Sequence, residues 1–129
     1  PLDQVIGTSL ERAGIMIGQL GHITTQGNST IAEDRTEAQQ LATHFSEVPV
    51  TAPRSFFGTL GATSGGMETA VSILAMNRGV IPPTRNYETP DPECPVLVVQ
   101  SPQVSKKKYF VTYNWTAEGQ AAAAVFSPV

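Results

Sequence analysis

The stretch from Val48 to Cys94, VPVTAPRSFFGTLGATSGGMETAVSILAMNRGVIPPTRNYETPDPEC, decides how this chain is read. Val48 to Thr51 is a short apolar run without a polar partner face, the pattern of a buried strand. From about Leu60 to Asn77 the spacing predicts a helix whose only charged residue is Glu68. Gly61, Ala62, Thr63, Ser64, Gly65 and Gly66 fill its first two turns, and Met67, Val71, Ile73, Leu74 and Met76 lie on all sides of the rest. A helix apolar all round is buried all round. Its three glycines each weaken it by about 1 kcal/mol, so it stands only where packing uses the close approach that glycine permits. A chain of 129 residues has little to wrap such a helix with. The reading is therefore a largely buried central helix near residues 60–77 that needs a partner surface. Arg78-Gly79 closes it, Pro82-Pro83 bars its return, and Thr84 to Pro95 is an extended connection punctuated by proline.

Outward from this stretch, Leu2, Val5, Ile6, Leu10 and Ala13 fall on one face of a helix that Gly14 stops. Leu20 to Thr25 reads as a strand and Gln26 to Ile31 as a polar loop. From about Ala32 to Phe45, Ala38, Leu41, Ala42 and Phe45 form an apolar stripe against Glu33, Arg35, Glu37 and Gln40, an amphipathic surface helix. Val96 to Val99, Tyr109 to Tyr113 and Ala121 to Phe126 read as further strands. The last two are joined through Asn114 to Gln120 as an antiparallel hairpin with a long tip. Helices and strands alternate and a β-rich end comes last, which implies one α/β domain over residues 1–129 with a mixed sheet packed against helices.

Composition narrows the function classes. Apolar residues make up 40% and charged residues 15%, a globular balance. A net charge of −3 leaves no basic surplus to grip a phosphate backbone, so nucleic acid is excluded as a partner. Lys106 to Lys108 is the only charge run and reads as the solvated start of an edge strand. No apolar stretch has membrane-spanning length and no signal peptide is visible, although the sequence starts at Pro1 without a Met. The one cysteine, Cys94, allows no internal disulfide and fits a reducing cytoplasm. No His, Cys, Asp and Glu set has metal-ligand spacing. His22 and His44 read as structural or solvent-exposed.

The order of these segments resembles the C-terminal half of the β-ketoacyl synthases, thiolase-like condensing enzymes of fatty acid and polyketide assembly. The family's first histidine loop, N-A-H-G-T-x-T-P-x-G-D-x-x-E, is matched by Thr24 to Glu37, where Gly27, Ser29, Thr30, Asp34 and Glu37 keep the spacing. Its second histidine segment, K-S-x-x-G-H-x-x-G-A-A-G-x-x-E, is matched by Arg54 to Glu68, with Ser55, Gly58, Gly65 and Glu68 in place. Gly79 to Cys94 matches the family's P-P-T-x-N connection, which carries no chemistry. The resemblance implies a cysteine nucleophile in an N-terminal half that has no counterpart in these residues; Cys94 falls on the connection instead.

The resemblance puts the two catalytic histidines at Gln26 and Thr59, and neither side chain can shuttle a proton near neutral pH. Gln26 retains a neutral hydrogen bond for a thioester oxygen, and both residues also read as loop filling. The family lysine becomes Arg54, which would pair with Glu68 as a structural ion pair. The two threonines that hold the pantetheine arm become Asn28 and Thr30. The glycine-rich gate loop becomes Trp115, Thr116, Ala117, Glu118 and Gly119, where Ala117 and Glu118 crowd an oxyanion site and place a carboxylate beside it.

The resemblance and its departures together imply a degenerate condensing-enzyme domain, inactive by itself, that shapes a partner as chain-length factors do. Two alternatives stay open. One is an acyltransferase whose nucleophile lies in an N-terminal half; the other is a module that binds pantetheine or an acyl carrier protein. No cofactor is implied beyond a phosphopantetheine-bound acyl substrate. The implied partners are the N-terminal half or a ketosynthase-like subunit, in a homo- or hetero-oligomer, with an acyl carrier protein.

Overall fold

The computed structural model describes residues 2–128. Helix α1, Leu2–Ala13, buries Leu2, Ile6 and Leu10, spaced four apart on one face, and ends where Gly14 takes φ +68°. Strand β1 is Leu20–Thr24, buried throughout. Helix α2, Ile31–Phe45, is capped by Thr30, whose hydroxyl accepts from the Glu33 N–H at 3.3 Å. Strand β2, Pro49–Thr51, leads into a one-turn helix α3, Arg54–Phe57. Helix α4, Ser64–Asn77, comes after a 3₁₀ turn at Gly61–Thr63. Then come β3 Val80–Ile81, β4 Leu97–Val98, β5 Gln103–Val104, β6 Tyr109–Trp115 and β7 Ala121–Phe126.

Five strands form one sheet in the order β4-β2-β1-β6-β7. The first four are parallel and β7 runs antiparallel to β6, so the sheet is mixed, within an α/β fold. Strands β3 and β5 make a separate antiparallel ribbon. Ile23, Val111 and Tyr113 join Leu2, Ile6 and Leu10 of α1 and Leu41 and Phe45 of α2 in one apolar core. Each such side chain contributes about 1.5–3 kcal/mol by leaving water. Thr24, next to Ile23, points the other way and shares a 2.6 Å hydrogen bond with Ser72 of α4. Helices α1 and α2 therefore cover one face of the sheet and α4 the other.

Helix α4 corrects the expectation of a largely buried rod. Only Ser64, Glu68 and Ser72 are buried, one stripe at every fourth residue, while Met67 is 44% and Leu74 58% exposed. The physical reason is that the sheet covers one side of the helix and nothing among the described residues covers the other. Small and polar residues face the sheet, and the bulky apolar ones face out. The helix also starts at Ser64 rather than Leu60, because Gly61 at φ +61° breaks the helical path.

Other boundaries move too. The run Lys106 to Lys108 is exposed, but β6, which it precedes, lies between β1 and β7 and is not an edge. The hairpin tip shrinks to Thr116–Gln120 because β6 continues to Trp115, opposite Ala121. Sequence spacing gave no sign of α3, β3 or β5, each too short to show a period. Glu37, expected on the solvent face of α2, is 5% exposed.

Candidate functional site

The site is built where β1 and β6 end side by side. Thr24 pairs with Thr112 in register, so Gln26 and Asn114 each lie two residues further on. Beyond Thr24 the chain turns through Gly27 at φ +54° and Ser29 at φ +65°, both left-handed. Glu37 of α2 holds this turn: its carboxylate accepts the N–H of Gln26 at 2.8 Å and of Gly27 at 3.1 Å. The hydroxyl of Tyr113, on β6, donates to the same carboxylate. Burial pushes the Glu37 carboxyl up, and these three donors pull it back. Burial beside Glu37 likewise pushes the Tyr113 phenol up.

Gln26 is 4% exposed, and its Nε2 donates to Asn114 Oδ1 at 3.0 Å. Glycine at residue 65 leaves room for the Asn114 side chain. A Cβ there would sit 2.5 Å from Asn114 Nδ2. Thr59 is exposed, just beyond Gly58 at φ +77°, and makes no hydrogen bond to this group. The structure therefore joins Gln26 to Asn114 and leaves Thr59 outside.

A second cluster lies alongside. Arg54 Nε donates to Glu68 Oε1 at 2.5 Å, and Arg54 Nη1 donates to Asn28 Oδ1. Arg54 is 8% and Glu68 1% exposed, so the pair is desolvated. Burial pushes the Glu68 carboxyl up and Arg54 opposes it. The guanidinium fork reaches two acceptors at once, which a lysine ammonium at the end of a flexible stem does not do in a fixed plane. Asn28 thus has its acceptor engaged by Arg54. The hydroxyl of Thr30 caps α2 and donates to Glu33 Oε2 at 2.9 Å.

In the hairpin, Trp115 is the last residue of β6 and half-buried, with no partner for its Nε1 among the described residues. The tip closes through Thr116 N–H to the Gln120 carbonyl at 2.9 Å and Gly119 N–H to the Thr116 carbonyl at 3.0 Å. Ala117 and Glu118 are exposed at its end, and Gly119 takes φ +94°. On the α2 side of the turn, a cleft of about 660 Å³ opens between Thr30, Ile31 and Arg35, Phe56, and Tyr87 and Cys94 of the connection.

The two histidines lie elsewhere. His22 is 3% exposed and stacks on Phe110 at 5.2 Å; burial lowers its pKa to about 4. His44 Nδ1 lies 3.1 Å from Asp3 Oδ2 at the surface. Among the described residues no group of three or more His, Cys, Asp or Glu is placed to hold a metal ion, and no helix is long and apolar enough to cross a membrane.

Three residues here escaped sequence reasoning. Glu37 carried a signal, since it keeps the spacing of the first loop motif. Tyr113 and Asn114 carried none, because their partners are 76 and 88 residues away in sequence.

Comparison with known proteins places this geometry. Residues 2–88 match the beta-ketoacyl synthase, C-terminal domain family. The chain is 35% identical to the tetracenomycin polyketide synthase ketoacyl synthase alpha subunit of Streptomyces glaucescens, over 97% of this chain and 31% of that protein. Among solved structures, the ishigamide ketosynthase/chain length factor superposes with a TM-score of 0.89 at 23% identity, covering 99% of this chain and 32% of the other. A type II polyketide synthase acyl carrier protein in complex with its ketosynthase bound to the hexaketide gives 0.88 at 23% identity, over 98% and 32%. The chain spans about a third of the length of each of these three relatives.

Proposed function

The chain belongs to the β-ketoacyl synthases as their C-terminal domain, and from that premise we propose that it serves acyl-chain assembly without condensing. Its role is that of a structural partner domain, as a chain-length factor is to its ketosynthase. The observation that carries this reading is the Gln26–Asn114 hydrogen bond, 3.0 Å long, at the position where the resemblance expects an imidazole. An amide has no accessible pKa and moves no proton, and Thr59 supplies no base either. The pantetheine positions support the same reading, since Asn28 is engaged by Arg54 and Thr30 by the α2 cap.

The partner is a ketosynthase-like subunit or domain, and the assembly works with an acyl carrier protein in the cytoplasm. The outward-facing Met67 and Leu74 of α4 support such a partner.

The test is decarboxylation of malonyl-carrier protein by the full-length protein, read as carbon dioxide release. General acid–base groups contribute about 10²–10⁴-fold, so the rate is expected at least about a hundredfold below that of a histidine-bearing relative. The Gln26→His, Thr59→His double variant is expected to raise it. Turnover by the unaltered protein at a relative's rate would overturn the reading.

A further inference from the structure

We propose that the end of the molecule opposite the Gln26–Asn114 group is a contact surface for an anionic lipid bilayer. Three segments meet there. Helix α4 ends at Asn77, and the chain turns through Arg78 and Gly79 into β3. The run Lys106 to Lys108 lies between β5 and β6. The turn from Met16 to Gln19 leads into β1, whose first residue, Leu20, pairs with Tyr109 of β6. Ser105 ties the three together. Its N–H donates to the Gly79 carbonyl at 2.9 Å, and its Oγ lies 3.3 Å from where a Cβ on Gly21 would stand.

Charge at this end has one sign. Arg78, Lys106, Lys107 and Lys108 are exposed, and among the described residues none of them has an ion pair. Residues 12–32, 69–87 and 94–117, which contain the three segments, hold no Asp or Glu. The carboxylates behind the net charge of −3 lie outside those stretches. Each Lys or Arg close to an anionic leaflet strengthens binding about fivefold, and salt weakens the attraction.

Apolar side chains stand beside the cations. Met16 is 76%, Ile17 42% and Val104 81% exposed. The first two are carried on a closed turn, in which the Gln19 N–H donates to the Met16 carbonyl at 3.0 Å and Gln19 Oε1 accepts the Met16 N–H at 2.9 Å. Val104 is carried on the β3–β5 ribbon, opposite Val80.

Lysines alone would suit any acidic partner, and the apolar side chains decide for lipid. The cavity that Lys107 lines with His22 and Met76 holds about 10 Å³, room for one water and not for a partner's side chain. A bilayer needs no such socket. Single apolar side chains enter its interface while lysines keep their charge at the headgroups. Strands β1 and β6 run from this end towards Gln26 and Asn114, so that group would face away from the membrane. The surface does not depend on the non-condensing role.

The test is sedimentation of the full-length protein with vesicles of phosphatidylcholine alone or mixed equally with phosphatidylglycerol. Binding is expected to the mixed vesicles only, and to fall as salt is raised. Replacing the run by Lys106→Gln, Lys107→Gln and Lys108→Gln together is expected to weaken it more than about tenfold. Arg85→Gln, which removes an exposed cation from the connection, is expected to leave it unchanged. Met16→Ser with Val104→Ser keeps the charge and is expected to weaken binding at least about threefold. These positions are exposed, so the fold is expected to survive each change. No binding to mixed vesicles, equal binding to phosphatidylcholine alone, or unchanged binding without the three lysines would overturn the proposal. Unchanged binding in the Met16→Ser, Val104→Ser variant would overturn it too, and would assign the surface to an acidic protein partner.

Discussion

His22 shows how far one residue can depart from its usual chemistry. It lies inside β1, 3% exposed, with its ring near-parallel to Phe110 and its Nε2 unpartnered among the described residues. Burial holds its pKa at about 4, below the ordinary 6.5. Between those values the unfolded chain binds the extra proton and the folded one does not. The penalty for keeping the ring neutral is absent above pH 6.5 and grows as pH falls towards 4, to about 3 kcal/mol. Glu37 and Glu68 act with the opposite sign. Their raised pKa values let the folded chain hold protons that the unfolded one releases, so their contribution declines as pH rises through the carboxylate range. The clean measurement is a difference. Urea midpoints at pH 7 and pH 4.5 are expected to separate less in His22→Leu than in the unaltered chain. The Arg54–Glu68 pair gives a second outcome. Arg54→Met strands a carboxylate that is 1% exposed and is expected to cost about 3–5 kcal/mol at neutral pH. Adding Glu68→Gln is expected to recover part of that loss, which a double-variant cycle of denaturation curves would read. The sequence pointed to this pair through motif spacing. It held no sign of Asn28 as the second acceptor, because that contact depends on how the loop turns at Ser29.

At the scale of elements, α1, α2 and the hairpin were legible because each carries its own period. In α1 the fourfold spacing of Leu2, Ile6 and Leu10 gives both the helix and its buried face. Helix α4 was legible as a helix but not in its environment. Apolar residues on every side give no direction, and the face that meets the sheet proved to be the small polar one: Ser64, Glu68 and Ser72. Ser72 finds Thr24 and Glu68 finds Arg54, both outside the helix, so these contacts override hydrophobicity in setting the orientation. The two kinds of helix should respond differently. Ile6 is fully buried in the α1–α2 core, and Ile6→Ala is expected to cost about 2–5 kcal/mol in chemical denaturation. Leu74 is 58% exposed, and Leu74→Lys is expected to stay within about 0.5 kcal/mol. A large loss from Leu74→Lys in the isolated chain would show that the outward face of α4 is covered within the chain itself.

At the scale of the molecule, the two faces of the sheet are unequal. One is sealed by α1 and α2 over a continuous apolar core; the other carries α4 in a single layer whose outer side is apolar and open. Leu60, Met67 and Leu74 are each 40% exposed or more, on α4 and the segment just before it. The proposed partner would cover these side chains. The partner reading makes this measurable. Cys94 is the only cysteine and lies on the connection, in the cleft it lines with Ile31 and Tyr87, so it serves as an internal reference. In a Leu74→Cys variant of the full chain, thiol labelling at residue 74 is expected to be fast when the chain is alone. With the ketosynthase-like partner present it is expected to slow by more than about tenfold, equivalent to about 1.4 kcal/mol of protection. Labelling of Cys94 is expected to change much less. Equal slowing at both positions would indicate general tightening of the chain, and no slowing at residue 74 would place the partner on some other surface. Slowing at residue 74 alone ties the glycine-rich helix, whose packing the sequence demands, to the surface that completes it.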